Sequence, residues 1–284
     1  MSAETRAGTW ARPVARPRAR RWVSSGLGVL VARVLVGLVL LGAWEASSGT
    51  LIDSFFVSKP SLVAAELWRQ ASAGTLWGDL AVTIVQETLA GYVAGSLLGI
   101  VAGFLLAQTP TTARVLNPYL IAINGVPRIA LAPLFIVWFG IGLSSKIWLA
   151  GMMAFFLTFF QTYAGVGSVD QGLKNVARVM GASRLELLLK VVLPAASPWI
   201  IAGLRLSIPY ALVSAVVGEI VMSTAGVGYR IIKATQTFDI TGTMTGVVVL
   251  MLIVMLANLL LDRAEAHLLR WRPSAPETAA STQG

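Results

Sequence analysis

Apolar residues along this chain gather into six long blocks separated by more polar stretches, at about 27–46, 80–107, 119–140, 146–167, 196–222 and 242–261. Each block is close to the roughly 20 residues that a helix needs to cross bilayer hydrocarbon. The pattern therefore predicts an all-α membrane protein with about six transmembrane helices. The third block is the weakest, because Pro127, Arg128 and Pro133 interrupt it. The connections are then loops at 47–79, 108–118, 141–145, 168–195 and 223–241. A basic arm over residues 1–25, one transmembrane domain over 26–272 and a tail over 273–284 complete the organisation. Arm and tail are poor in bulky apolar residues, which predicts disorder at both ends.

The second block carries a packing signal. "GYVAGSLLGIVAG" places Gly91, Gly95, Gly99 and Gly103 at four-residue intervals. That interval drifts only about 40° per step around a helix. A glycine stripe lets a second backbone approach closely where lipid supplies no hydrophobic drive for association. Whether the partner helix belongs to the same chain is not readable from the stripe.

Composition agrees with the blocks. Residues are 56% hydrophobic and 12% charged, with mean hydropathy +0.76, against about 25% charged in soluble domains. With no cysteine, disulfide and thiolate-metal chemistry are excluded. The formal charge of +9 follows the topology. The arm, loop 108–118, loop 168–195 and the stretch after the sixth block, with Arg263, Arg270 and Arg272, hold fourteen lysines and arginines. The opposite loops hold Lys59, Arg69, Arg230 and Lys233, with Lys146 at a span edge. The positive-inside rule then puts both termini and loop 168–195 in the cytoplasm. Nucleic acid is not needed to explain the basic excess. The arm and first apolar run have the outline of a signal peptide, but the run is long and "GAWEASS" is a poor cleavage site.

Loop 168–195 is too polar to span and too patterned to be a mere connection. Gly181 divides it. Ser183 and Glu186 then form the frame of a capping box, and Leu185, Leu188, Leu189 and Val192 follow the spacing of one helix face. Pro194 is expected to end this helix. Such a segment suits a helix lying flat on lipid and equally a knob that docks into another protein.

The segment resembles the cytoplasmic signature loop of ATP-binding-cassette importer permeases, which reads Glu-Ala-Ala, three residues, Gly, nine residues, Ile-x-Leu-Pro. The second alanine falls on Ala177, the glycine on Gly181 and the closing pair on Leu193 and Pro194; Val191 stands for the isoleucine, and Asn175 and Val176 replace the opening Glu-Ala. "PLFIVWFGIG", "AGVGSVD", "MGASRLELLLKVVLPAA" and "GLRLSIPYALVSAVVGEI" extend the resemblance to the nitrate/sulfonate/taurine-type branch over about 80–270. The resemblance implies a plasma (inner) membrane permease that works as a pair of such subunits, here a homodimer, with cytoplasmic ATPases and an extracytoplasmic solute-binding protein. Asn175, Ala177, Gly181, Ala182, Ser183, Arg184, Glu186, Leu193 and Pro194 would form the ATPase-coupling element. The chain itself has no G-x-x-x-x-G-K-[ST] phosphate loop, and "GIGLSSK" at 140–146 misses that pattern. No cofactor or metal is therefore expected on this chain, and ATP and Mg would be used by the partner ATPase.

Polar groups inside the blocks are candidates for the solute route: Asn124, Arg128, Arg205 and Glu219, with Gln161, Tyr163 and Tyr210 weaker. Arg205 and Glu219 are separated by about 21 Å of helix rise yet lie within about 40° of one face. A membrane-embedded enzyme would need convergent acids, histidines or cysteines, and the lone His267 sits on the C-terminal flank. No catalytic residue is expected. An ion-coupled secondary transporter is the competing transport class, but it offers no use for the charged knob. The expected cargo is a small anion such as a sulfonate, nitrate or carboxylate, the alternative being a vitamin precursor.

Overall fold

The computed structural model describes residues 26–221 and 223–268, so the basic arm and the tail beyond 268 lie outside the described residues, as does the side chain of His267. The chain divides into two units, Met1–Ser61 and Leu62–Gly284. In the first, α1 (Gly26–Ser47) is an apolar helix roughly 33 Å long at 1.5 Å per residue. A turn closes its end. Trp44 Nε1 donates to the Ser58 carbonyl, Ser48 Oγ to the Val57 carbonyl, and Glu45 accepts from the amide and hydroxyl of Ser61.

Helix α2 (Pro60–Ser72) crosses the boundary between the units. The second unit continues with α3 (Thr75–Ala107), α4 (Pro110–Asn124), α5 (Ala132–Phe139) and α6 (Leu143–Gly167). It ends with α7 (Gln171–Val179), α8 (Arg184–Val221), α9 (Val227–Gln236) and α10 (Ile240–Leu268). Among the described residues, five helices are long and apolar enough to cross a membrane: α1, α3, α6, α8 and α10.

The expected third span over 119–140 is not one helix. It breaks into α4, a 3-10 turn at Arg128–Leu131 and α5. Pro127 and Pro133 lack the amide hydrogens that a continuous ladder needs, and the residue before a proline avoids helical geometry. Three expected loops also contain helices. Pro110, in the first turn of α4, needs no amide partner there. α2 and α9 pack Leu67, Ala71 and Ile231 around the buried Leu76, Val227 and Val249.

The core is a parallel pair, α3 and α6, with α8 antiparallel to α6. A Cβ at Gly91, Gly95, Gly99 or Gly103 would fall within 3.0 Å of backbone atoms of Ile147, Gly151, Phe155 or Phe159, in that order. The stripe is thus filled by the backbone of the same chain. On its other side α6 meets α8 through Ala150, Ala154, Ala211 and Ala215, and through Gly203 against Gln161. Small residues let dispersion contacts accumulate between backbones. Pro198 lies inside α8 and leaves the Pro194 carbonyl without its helical amide; Ser197 Oγ donates to that carbonyl at 2.8 Å.

Candidate functional site

Two features of the second unit gather charged and polar side chains: a two-helix knob and a buried cluster. The knob is built by α7 and the first turns of α8. Asp170 caps α7 by accepting from the Gly172 amide. The helix ends in a Schellman turn, in which the Ala182 amide donates to the Ala177 carbonyl and the Gly181 amide to that of Arg178, both at 3.0 Å. The turn requires a left-handed residue at its end, and Gly181 has φ +84°. Among the described residues, nothing beyond its chain neighbours lies within 4 Å of a Cβ at Gly181, so the demand for glycine comes from the backbone.

The capping box forms. Ser183 Oγ accepts from the Glu186 amide, and Glu186 accepts from the Ser183 amide and from Lys190 Nζ. Arg184 opens α8. Asn175 accepts from Arg178 on the exposed side of α7.

The expected apolar face is corrected in part: Leu188 and Val192 pack inward as expected, but the rest of it does not. Leu185 and Leu189 point outward, whereas Leu187 and Val192 are buried against Val166, Val169, Ala196 and Ile200. Residues 187–192 form a π-helical turn. Its i→i+5 bonding brings Leu187 and Val192 onto one side. Pro194 does not end the helix either, because the wider turn before it accommodates the ring and α8 runs on to Val221. Leu193 packs on the same cluster. The knob is thereby anchored from below, while Val179 and Met180 at its tip are 88% and 82% exposed.

The buried cluster sits at the other ends of the three core helices. Glu87, Thr83 and Glu219 are fully buried and Lys146 is 5% exposed. Lys146 Nζ donates to Glu87 Oε1 at 2.6 Å and to Ser223 Oγ at 2.7 Å. Thr83 Oγ1 donates to Glu219 Oε1 at 2.6 Å and accepts from the Val227 amide at 2.9 Å. The Gly228 amide donates to Glu219 Oε2 at 2.6 Å. Asp79 accepts from the Gly226 amide and pairs with Arg230. Gly226, at φ +104°, leaves no room for a Cβ beside the Glu219 carboxyl. Together these bonds tie the start of α9 to α3, α6 and α8.

A polar cleft of about 280 Å³ adjoins, lined by Glu66, Arg69, Asp79, Tyr229, Arg230 and Lys233 among others. There the Arg69 guanidinium holds the Glu66 carboxyl below its usual range.

The residues expected on a solute route are scattered. Asn124 ends α4 on an exposed surface. Arg128 opens the 3-10 turn, and its side chain lies outside the described residues. Arg205 is half-exposed and pairs with Asp262 of α10. Glu219 is enclosed in the buried cluster, so Arg205 and Glu219 share no open surface. Sequence reasoning did not single out Thr83, Asp79 or Arg230. It also passed over Glu87 and treated Lys146 as a span edge. The available signal was an ionisable residue inside the second, fourth and fifth apolar blocks, each of which marks a site for inspection by itself.

Residues 95–272 match the model of the binding-protein-dependent transport system inner membrane component. The putative aliphatic sulfonates transport permease protein SsuC of Bacillus subtilis is 33% identical, over 85% of this chain and 87% of its own. The taurine transport system permease protein TauC of Escherichia coli is 31% identical over 88% and 90%. The riboflavin transport system permease protein RibX of Chloroflexus aurantiacus is 32% identical over 92% and 98%. Among solved structures, the inward-facing MetNI methionine ABC transporter has the same fold, with TM-score 0.56 at 21% identity, covering 70% of this chain and 96% of that one. The chain belongs to the binding-protein-dependent transport system inner membrane components, and is a permease subunit of an ABC importer rather than an enzyme.

Proposed function

We propose that this permease carries a small anionic solute of the sulfonate class, as a pair of identical chains with both termini in the cytoplasm. Membership of the family implies ATPase and solute-binding-protein partners. The observation that carries the coupling role is the knob itself. Leu187 and Val192 root it in the core, while Val176, Val179, Met180 and Leu185 remain exposed around Gly181. An apolar tip on a rooted support can transmit a push from an ATPase surface, whereas a helix lying on lipid needs no such root. ATP and Mg belong to that partner. The fourteen basic residues on the knob's side of the sequence pattern support a cytoplasmic placement.

The solute class rests on the relatives named for aliphatic sulfonates and taurine. The riboflavin-named relative, which aligns over more of both chains, favours a second reading in which a vitamin is carried. Uptake into proteoliposomes holding permease, ATPase and binding protein separates the two. Competition by taurine and alkanesulfonates supports the anion, competition by riboflavin alone supports the vitamin, and competition by neither removes both.

A further inference from the structure

We propose that Glu87 and Glu219 together bind one proton, held between their two carboxyl groups, and that this proton locks the Ser223–Gly228 turn onto the helix bundle. The hydrogens aimed at the two carboxyls can be counted. Glu219 Oε1 receives the Thr83 hydroxyl and Oε2 the Gly228 amide. Glu87 Oε1 receives Lys146 Nζ. Among the described residues no hydrogen-bond donor reaches the buried Glu87 Oε2, and the Glu87 carboxyl neighbours that of Glu219. One hydrogen is missing, on a carboxyl that neighbours a second one.

Charge leads to the same place. The ammonium facing the pair is Lys146, from α6. Asp79 of α3 and Arg230 of α9 stand beside the turn but pair with each other. α8 contributes Glu219 alone at this end, and Asp262 of α10 is engaged with Arg205. Two ionised carboxyls against one ammonium would leave a net negative charge in a fully buried space, and removing charge from water is heavily penalised. Two carboxyls sharing a site do not both ionise readily. A single proton cancels the excess charge and supplies the missing hydrogen. Glu219 then holds Val227 and Gly228 through Thr83 and its own Oε2, and Lys146 holds Ser223. Loss of the proton would set two like charges together and push the Glu219 side of the clasp away from Glu87.

The test uses the full-length permease purified with its ATPases. Infrared spectra in H2O and D2O should show a protonated, deuterium-sensitive carboxylic C=O stretch at neutral pH, and Glu219→Gln should remove it. The proton is bound by the folded state and released on unfolding at any pH above the ordinary carboxylate range, so wild-type stability should fall as pH rises from that range, until the folded state loses the proton too. The limiting slope is roughly tenfold in the folding constant per pH unit. Glu219→Gln carries its hydrogen covalently and should flatten that slope. If Glu219→Gln does not fold, Glu87→Gln serves for both measurements. A wild-type spectrum without the band, a band that survives the substitution, or equal pH slopes in wild type and variant would each overturn the proposal.

Discussion

Lys146 and Glu87 form an ion pair, 2.6 Å between Nζ and Oε1, with side chains 7% and 0% exposed. The residues are 59 positions apart, on the parallel helices α6 and α3. An ion pair taken this far from water is sensitive to losing one member, because the survivor remains buried without its partner.

Lys146→Met should therefore destabilise the permease by about 3–5 kcal/mol, and Lys146→Met with Glu87→Leu should recover most of that loss. Thermal melts of the detergent-purified chain measure both. Equal losses in single and double variants would show that the pair is not an isolated unit.

The glycine stripe predicts a positional contrast. Gly95→Val places side-chain atoms against the Gly151 backbone, which cannot rotate away, so the cost should exceed the about 1–3 kcal/mol of ordinary overpacking. Gly78, with nothing within 4 Å of its would-be Cβ, should accept alanine. The yield of monodisperse protein on size exclusion reads the difference. Comparable yields from both variants would contradict the close approach of α3 and α6.

At the knob, root and tip should separate experimentally. Leu187→Ala removes a buried anchor and should cost about 2–5 kcal/mol. Met180→Ser should leave the melting temperature unchanged and weaken ATPase capture. Gly181→Val forces a β-branched residue into left-handed backbone and should weaken capture strongly. Ser183→Ala removes a cap worth about 1 kcal/mol and should weaken it partly. Normal ATPase binding by Gly181→Val would return the segment to an interfacial helix.

Topology has a direct assay, because the chain contains no cysteine. Ser183→Cys should react only with reagents that reach the cytoplasm, and Ser72→Cys only from the opposite side. External labelling at Ser183 would invert the proposed orientation and the docking role together.

The Arg205–Asp262 pair gives a further contrast. Arg205→Asp and Asp262→Asn should each lower the yield of folded protein, the first more because it sets two carboxylates opposite each other. The swap Arg205→Asp with Asp262→Arg should restore it. Restored folding with uptake still lost would place the guanidinium on the solute route; restored uptake would make the pair purely interhelical.

Much of this molecule could be read before its coordinates. Long apolar blocks announce helices because hydrocarbon offers no partner to a free amide or carbonyl. The Gly91–Gly103 interval announces a close helix contact. Ser183, Glu186 and Gly181 announce a cap and a left-handed turn, since these depend on neighbours a few residues away. What stayed hidden is what distance along the chain conceals. Which helix fills the glycine stripe depends on α6, more than fifty residues later. Leu187 joins Val192 on the buried face only because a π-helical turn resets the period, whereas the sequence spacing puts Leu185 and Leu189 there with Val192. The broken third span turns on prolines whose local effect is legible but whose outcome, two helices and a 3-10 turn, is set by the packing available. The cluster of Thr83, Glu87, Lys146 and Glu219 draws on three helices. Each residue looks like an isolated polar exception in its own block, and only tertiary packing makes them one another's solvent.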